Sequence, residues 1–358
     1  MFYIFNFLIL LCNSYITRKL KNKHIGDCFF VGITWLQLVL IMGLRKNTVG
    51  TDSKSYTVLF RNIADDNITN LNDKSPLFVI LLKNISKLLG KSDQIYFFTT
   101  GIVIITFVII AIIKSRIDIR NGIILYYVMF YLPSLNATRN YMAIAIFFAG
   151  FFMLKSQNKK ETIIGILLCV SAIFIHSSAI IGIPILVIVN TNLSKKRNRI
   201  FIISSAVIAI LAYKVFIGYF IILFPIYTNT INSINDTVGA SARVFQLSIL
   251  ICFVQSIIIK KKELYNIGGL LNDYTQIITI LLAIELGMFI VGGNTWYFQR
   301  FIIYMEILSI PLFVNNNRIK NKYRQVTKVS FVITIMFCFV YRILRNLGDV
   351  SPYLFFWQ

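Results

Sequence analysis

Long apolar runs recur along the whole chain, and short basic clusters separate them. Apolar residues fill 57% of the 358 positions and charged residues only 14%. Soluble domains carry about 25% charged residues, so this balance excludes an ordinary soluble protein. We predict an integral membrane protein with about twelve membrane segments. The apolar runs cover residues 2–17, 27–44, 94–114, 121–135, 140–154, 162–175, 177–190, 200–224, 244–259, 273–292, 300–314 and 329–347.

The apolar runs also constrain the fold class. Backbone polar groups inside a bilayer must pair within the protein, so the runs are predicted to be helices. The alternating pattern of a membrane barrel is weak in this chain. We expect an all-α fold, a polytopic integral membrane helical bundle. No internal repeat or soluble domain interrupts it, which predicts a single membrane domain over residues 1–358.

The basic clusters predict the topology. Six of them hold 22 of the 36 lysines and arginines, and positively charged loops stay on the cytoplasmic side. With two crossings between successive clusters, both chain termini fall on the external side. The net charge of +22 is then explained by topology and predicts no nucleic-acid partner. The clusters are Arg18–Lys23, Lys114–Arg120, Lys155–Lys160, Lys195–Arg199, Lys260–Lys262 and Arg318–Lys328.

Two stretches between basic clusters are predicted to be short hairpins, at residues 121–154 and 162–190. An arm of about 14 residues rises only roughly 21 Å as a helix, less than the roughly 30 Å hydrocarbon core. We therefore expect two re-entrant-like helical hairpins whose turns lie below the outer surface. Asn136 and Arg139 would lie at the first turn and His176 at the second, in one external, water-filled depression.

Residues 45–93 are predicted to form the main external loop. Arg45, Asp52 and Tyr56 follow the second apolar run at its start. The Ser-Pro pair before residue 77 is typical of a helix start. Apolar and basic positions then alternate with helical spacing, which predicts an amphipathic external helix at residues 76–90. Its predicted apolar face comprises Phe78, Leu81, Leu82, Ile85, Leu88 and Leu89, opposite Lys83 and Lys87.

Several polar side chains are predicted to meet at the external surface. Arginine presents a planar fork that matches phosphate oxygens, and a departing pyrophosphate needs positive charge nearby. A histidine can take a proton from a sugar hydroxyl. This chemistry predicts glycosyl transfer from an isoprenoid-pyrophosphate-linked sugar, with no metal and no cofactor. The candidate catalytic residues are His176, Asp52 and Arg139, and the candidate substrate-binding residues are Arg45, Arg139, Arg300, Arg243, Tyr56 and Asn136.

Short motifs in a fixed order also resemble those of a known family. They are Gly43-Leu44-Arg45, Gly50-Thr51-Asp52 with Tyr56, Asn136 with Arg139, His176-Ser177-Ser178-Ala179, and Arg300 with Tyr304. At these positions the chain resembles the EpsG/Wzy-type polysaccharide polymerases of bacterial capsule, exopolysaccharide and O-antigen pathways. Members usually carry glutamine after the second-motif arginine, whereas this chain has Asn140.

The resemblance implies a membrane glycosyltransferase with its active face outside the bacterial cytoplasmic membrane. Such an enzyme joins oligosaccharide repeat units carried on undecaprenyl pyrophosphate, and the lipid pyrophosphate is the leaving group. The implied partners are this lipid-linked oligosaccharide, membrane lipid, and flippase and chain-length regulator proteins. Arg139, Arg300 and Arg45 would hold the donor pyrophosphate, and His176 or Asp52 would orient or deprotonate the acceptor hydroxyl.

Three other functions stay open from the sequence alone. A lipid-linked oligosaccharide flippase would also need a basic cavity, but with a polar path to both sides. An O-antigen-ligase-like glycan transferase would share the arginine and histidine chemistry, with its main external loop late in the chain. A membrane O-acetyltransferase would need its histidine to be reachable from the cytoplasm, and the predicted topology places His176 outside.

Overall fold

The structure is a computed structural model that describes residues 1–67, 75–154, 156–190, 204, 296–315 and 324–358. Every regular element in these residues is helical, which confirms the all-α prediction. The α-helices, numbered in chain order over the described residues, are α1 (Phe2–Arg18), α2 (Lys23–Gly43), α3 (Ser53–Ala64), α4 (Pro76–Leu89), α5 (Asp93–Lys114), α6 (Ile119–Tyr126), α7 (Leu132–Asn136), α8 (Thr138–Leu154), α9 (Lys159–Ile175), α10 (Gly182–Asn190), α11 (Trp296–Ile307), α12 (Ile310–Asn315) and α13 (Arg324–Leu344).

Two of the described helices, α2 and α5, are long and apolar enough to cross a membrane by length and composition. Each begins at a side-chain cap, since Asn22 accepts a hydrogen bond from the Ile25 N–H and Ser92 accepts one from the Ile95 N–H. The total of about twelve membrane segments stays a prediction. The predicted segments at 200–224, 244–259 and 273–292 lie almost wholly outside the described residues.

The chain divides into two compact units. The first comprises Met1–Ile180 with Phe339–Gln358, and the second comprises Ile181–Cys338. The first unit therefore contains α1 to α9 and the C-terminal segment, whereas α11 and α12 belong to the second. The prediction of one membrane domain stays a prediction.

Helix α8 forms the centre of the first unit, packed against α5 and α9. Nearly all of its side chains are buried. Two glycines allow α8 and α9 to approach closely: a Cβ atom on Gly165 would lie 2.7 Å from the Leu154 nitrogen, and one on Gly150 would lie 2.8 Å from the Cys169 sulfur. Small residues at a helix crossing are typical of membrane helix pairs.

The two predicted hairpin turns coincide with breaks in the helices. After α6 the chain passes through a π-helical turn at Tyr127–Tyr131 and then α7, and Ala137 separates α7 from α8. Helix α9 ends at Ile175, where His176 adopts an extended conformation before a 3₁₀ turn at Ser177–Ile181. The depth of these breaks in a bilayer stays a prediction.

Buried tyrosines fasten the π-helical turn to its neighbours. The Tyr127 hydroxyl donates to the Tyr3 carbonyl over 2.8 Å, and the Tyr131 hydroxyl donates to the Leu38 carbonyl over 2.8 Å. These bonds join the turn to α1 and α2. They satisfy polar groups that would otherwise be costly in an apolar interior.

Three of the predicted cytoplasmic clusters meet at one end of the first unit, here called the basic end. The Lys114 ammonium lies 2.8 Å from Glu161, which links the end of α5 to the start of α9. Arg120 lies 2.8 Å from Asp27 and also donates to the Ser14 carbonyl. Arg120 is buried rather than part of a solvated loop, because its guanidinium joins α6 to α1 and α2.

The opposite end carries residues 44–56, 136–140 and 176–178, and is here called the Arg45 end. Helix α4 packs here against α3, α5 and α9, and Phe78 and Leu82 are among its buried side chains. The predicted amphipathic helix is therefore present. Of its predicted apolar face, Phe78 and Leu82 are buried in the protein, whereas Leu88 and Leu89 are 78% and 64% exposed. The packed stripe follows Phe78 and Leu82 because those positions face neighbouring helices.

The two ends predict a labelling pattern for the intact membrane. Lys21 at the basic end and Lys54 at the Arg45 end are both exposed. In a variant whose native cysteines are replaced by serine, we expect Lys54→Cys to react with a membrane-impermeant maleimide added outside cells. Lys21→Cys should react only after permeabilisation. Labelling of Lys21→Cys in intact cells would invert the topology and contradict an external site.

Candidate functional site

The turn after α2 gives the Arg45 end its shape. Gly50 has a φ of +102°, which favours glycine, and a Cβ atom there would lie 3.1 Å from the Leu135 carbonyl oxygen. The Gly50 N–H donates to the Asp349 carbonyl over 2.8 Å, and the Thr51 N–H donates to the Gly348 carbonyl over 3.0 Å. The turn is therefore held between α7 and the C-terminal segment.

Arg45 is fully buried beneath this turn. Its guanidinium donates to the Leu135 carbonyl and, over 3.3 Å, to the Val49 carbonyl, and its Cζ atom lies 4.2 Å from the centre of the Phe97 ring. Burial lowers the pKa of Arg45 to about 10, so the side chain keeps its charge at neutral pH. Within the described part of the chain, Nε and Nη2 have no hydrogen-bond partner. Arg45 thus acts as a brace, and its predicted role as a phosphate ligand stays a prediction.

The C-terminal segment closes over Arg45. The Lys46 N–H donates to the Leu354 carbonyl and the Phe356 N–H to the Leu44 carbonyl, both over 2.9 Å. The Tyr353 hydroxyl donates to the Ile41 carbonyl over 2.8 Å. Sequence analysis missed this contribution, because no local pattern reveals that residues about 300 positions apart pair.

Asn136 connects two of the predicted site segments. Its Oδ1 atom accepts a hydrogen bond from the Asp52 backbone N–H over 2.8 Å. Asp52 is half-buried and immediately precedes α3, and its side chain makes no cap hydrogen bond to that helix. Tyr56 lies one turn further along α3, where its ring stacks on Tyr96 at 6.2 Å between centroids. Asn136, Asp52 and Tyr56 therefore lie at the Arg45 end, and their membership of one site stays a prediction.

Arg139 lies on the first turn of α8 and is half-buried. Its guanidinium carbon lies 5.7 Å from the centre of the Phe78 ring on α4. The buried Nε atom has no hydrogen-bond partner among the described residues. The preceding residue, Thr138, shares a 2.7 Å hydrogen bond with Tyr96, which lies within electrostatic reach of both Arg45 and Arg139. Tyr96 therefore joins α5 to the first turn of α8, next to Arg139.

His176 is buried and contacts α8 through a serine. Its Nδ1 atom lies 2.6 Å from the Ser178 hydroxyl oxygen and 3.2 Å from the Ser178 backbone nitrogen. The same hydroxyl oxygen lies 2.9 Å from Asn140 Oδ1. Arg139 and Asn140, which bonds to this serine, are therefore consecutive residues on the first turn of α8.

The two remaining predicted site residues lie in the second unit or outside the described residues. Arg300 is half-buried on α11, in the second unit, together with buried Tyr304. Arg243 lies outside the described residues. Their grouping with Arg139 stays a prediction. As to metals, no group of three or more His, Cys, Asp or Glu side chains in the described ranges could hold an ion.

Sequence analysis did not assign Tyr96, Phe78 or Thr138 to the site. Aromatic residues in apolar runs usually serve packing, and a threonine at a helix start usually serves capping. Only their sequence positions point to the site. Thr138 precedes a predicted site arginine, and Phe78 lies on a predicted external helix. The contact of Phe78 with Arg139 and the hydrogen bond between Tyr96 and Thr138 depend on tertiary packing.

The brace role of Arg45 predicts a loss of stability on substitution. Arg45→Met keeps most of the side-chain volume but removes the donor to the Leu135 carbonyl, which should cost about 1–3 kcal/mol of unfolding free energy. The matched control is Arg61→Met, at an exposed ion pair with Asp93, which should cost less than about 1 kcal/mol. Thermal unfolding in detergent would measure both. An Arg45→Met protein as stable as the parent, yet inactive, would instead support a phosphate-binding role.

Comparison with known proteins assigns the chain to a family. No curated protein and no solved structure matches it. The family model described as the EpsG family matches residues 28–355. This range includes all three segments of the Arg45 end, and the resemblance seen in the sequence is confirmed. The chain belongs to the EpsG family, and with it to the polysaccharide-polymerase type of membrane protein, which uses a lipid-linked oligosaccharide as substrate.

Proposed function

We propose that this protein is a polymerase that joins undecaprenyl-pyrophosphate-linked repeat units at the Arg45 end, outside the bacterial cytoplasmic membrane. The observation that carries the proposal is the arrangement of Asp52, Arg139 and His176 at one end of the first unit, within a family of polysaccharide polymerases. The family match does not favour a flippase, a ligase or an O-acetyltransferase.

The proposed reaction is a glycosyl transfer. An acceptor hydroxyl oxygen on the incoming unit attacks the anomeric carbon of the growing glycan. The bond between that carbon and the pyrophosphate oxygen breaks, and the electron pair stays on the departing lipid pyrophosphate. The acceptor proton passes to Asp52 or His176. The protein must therefore supply positive charge on the donor side and a proton acceptor on the other.

Arg139 is the side chain best suited to the pyrophosphate. It is partly accessible, and a guanidinium presents a planar fork that matches phosphate oxygens. The face of the Phe78 ring holds the guanidinium without using its N–H donors. Arg139 also lies at the positive end of the α8 dipole, which adds to its attraction for an anion. Arg300 and Arg243 remain proposed as further phosphate or glycan ligands.

Helix α4 is suited to the lipid part of the substrate. Leu77, Ile80 and Leu88 are exposed on one stripe of the helix, which also carries Asn84, and Lys87 lies beside it. Such a helix binds at a membrane interface. Because Phe78 of the same helix contacts Arg139, a lipid tail along α4 would bring its pyrophosphate towards that arginine. The proposed reaction uses no metal, and flippase and chain-length regulator proteins would supply substrate and set product length.

Loss of the Arg139 charge should stop polymerisation without removing the protein. In cells that depend on this chain, we expect Arg139→Gln to lower polymer formation by about 10²–10³-fold and to let the lipid-linked single repeat accumulate. Gel analysis of cell-surface polysaccharide and of extracted lipid-linked sugars would measure both.

The matched control is Arg18→Gln, which removes one charge from an exposed position at the basic end. Its polymer should be normal, and immunoblots should show equal amounts of both proteins. Normal polymer from Arg139→Gln would contradict the proposal. An equal loss of polymer and of membrane protein would assign Arg139 a structural role only.

A further inference from the structure

The hydrogen bonds around His176 decide which of its ring nitrogens carries the proton. Three polar groups converge in this buried network: the Ser178 backbone N–H, the Ser178 hydroxyl and the Asn140 amide. For each group, the geometry decides whether it donates or accepts the hydrogen bond. Among these three described groups, one arrangement satisfies every donor.

The Ser178 backbone N–H provides the fixed point. Its direction is set by the peptide plane and cannot rotate, and it points at His176 Nδ1 over 3.2 Å. A neutral imidazole has one protonated and one unprotonated nitrogen. A proton on Nδ1 would face the Ser178 N–H, so Nδ1 must present its lone pair.

The Ser178 hydroxyl follows from this. Its oxygen lies 2.6 Å from Nδ1, a distance that requires a hydrogen bond, and an unprotonated Nδ1 can only accept. The hydroxyl hydrogen therefore points at His176. The lone pairs of the same oxygen are left to accept a hydrogen bond from Asn140.

The Asn140 amide completes the chain. Its oxygen and nitrogen have nearly the same shape, and a half-turn about the terminal bond exchanges them. With the nitrogen towards Ser178, Asn140 donates over the same 2.9 Å. In the opposite orientation the amide nitrogen is buried without a partner among the described residues. The exchange leaves a carbonyl oxygen there instead, and a buried acceptor without a partner is tolerated better than a buried donor.

We infer that the Asn140 amide donates to the Ser178 hydroxyl and that this hydroxyl donates to His176 Nδ1. This direction places the ring proton on Nε2. Asn140 and Ser178 are then positioning residues. The consequence for catalysis rests on the proposed function: a ring with hydrogen on Nε2 and an occupied Nδ1 has no lone pair for the acceptor proton. His176 therefore donates a hydrogen bond, with no net proton transfer, to an oxygen of the departing pyrophosphate, and the Asp52 carboxylate takes the proton.

Nitrogen NMR of the imidazole tests the tautomer directly. The chain has two histidines, so His24→Gln leaves His176 as the only imidazole. In that background, with ¹⁵N-labelled histidine in lipid nanodiscs, we expect a neutral ring with the proton on Nε2. Ring couplings to the carbon-bound hydrogens identify which nitrogen is protonated. A proton on Nδ1 would overturn the inference without any need for a further variant.

Three substitutions test the direction of the chain. Asn140→Asp removes the donor and adds an acceptor, so the Ser178 hydroxyl should turn towards the new carboxylate. Its hydrogen bond to Nδ1 should be lost, which should shift the Nδ1 resonance, while the Ser178 backbone N–H keeps the ring proton on Nε2. Asn140→Gln keeps the amide donor and should keep the proton on Nε2. Ser177→Ala is the matched control, since Ser177 is exposed and next to the network. An Asn140→Asp spectrum identical to that of the parent would show that Asn140 is not a donor.

Polymer assays separate this inference from the proposed function. Asp52→Asn should lower kcat by about 10²–10⁴-fold as the loss of a base. His176→Ala should lower it by about 10²–10³-fold, and His176→Gln should retain clearly more activity because its amide still donates. Equal loss in the two His176 variants would favour a histidine base and overturn the inference. If the parent protein makes no polymer, the proposed function is wrong, whereas the tautomer measured by NMR is unaffected.

Discussion

The buried guanidinium of Arg45 is the interaction on which the Arg45 end depends. It holds the end of α7, through the Leu135 carbonyl, to the turn that leads into α3, through the Val49 carbonyl. Burying a charge is costly unless hydrogen bonds compensate, and the Phe97 ring face adds a further favourable contact. The Asn136 bond to Asp52 repeats the same connection, one residue beyond Leu135 and three residues beyond Val49. Asp52 is thereby fixed relative to the start of α8, which carries Arg139.

Arg45 and Arg139 therefore have different roles at this end, although their sequence positions look similar. Both follow the end of a helix on the predicted external side, and both were assigned to phosphate binding. Arg45 is fully buried and donates to two backbone carbonyls, whereas Arg139 is only half-buried and lies against the face of the Phe78 ring. A buried Arg45 that fixes the local backbone, together with a partly accessible Arg139, is the arrangement expected of a preorganised anion site.

Much of this arrangement could be predicted from the sequence, because it follows from local physics. Basic clusters and arm lengths placed breaks near residues 137 and 176, and helix α4 follows from its Ser-Pro start and spacing. The role of the C-terminal segment, the burial of Arg120 and the contact between Arg139 and Phe78 could not be predicted. Each depends on the pairing of distant segments, for which a single sequence carries no periodic signal. The same reason explains why α4 packs through Phe78 and Leu82 while Leu88 and Leu89 stay exposed.

The central claim is that a lipid pyrophosphate leaves each time a glycosidic bond forms, and counting both products tests it most directly. Purified protein in liposomes would be given undecaprenyl-pyrophosphate-linked repeat units, with no nucleotide present. The account predicts a ladder of lengthening glycans and one released undecaprenyl pyrophosphate for each new linkage. Substrate that crosses the bilayer intact, with no linkage formed and no lipid pyrophosphate released, would contradict it and indicate a transporter.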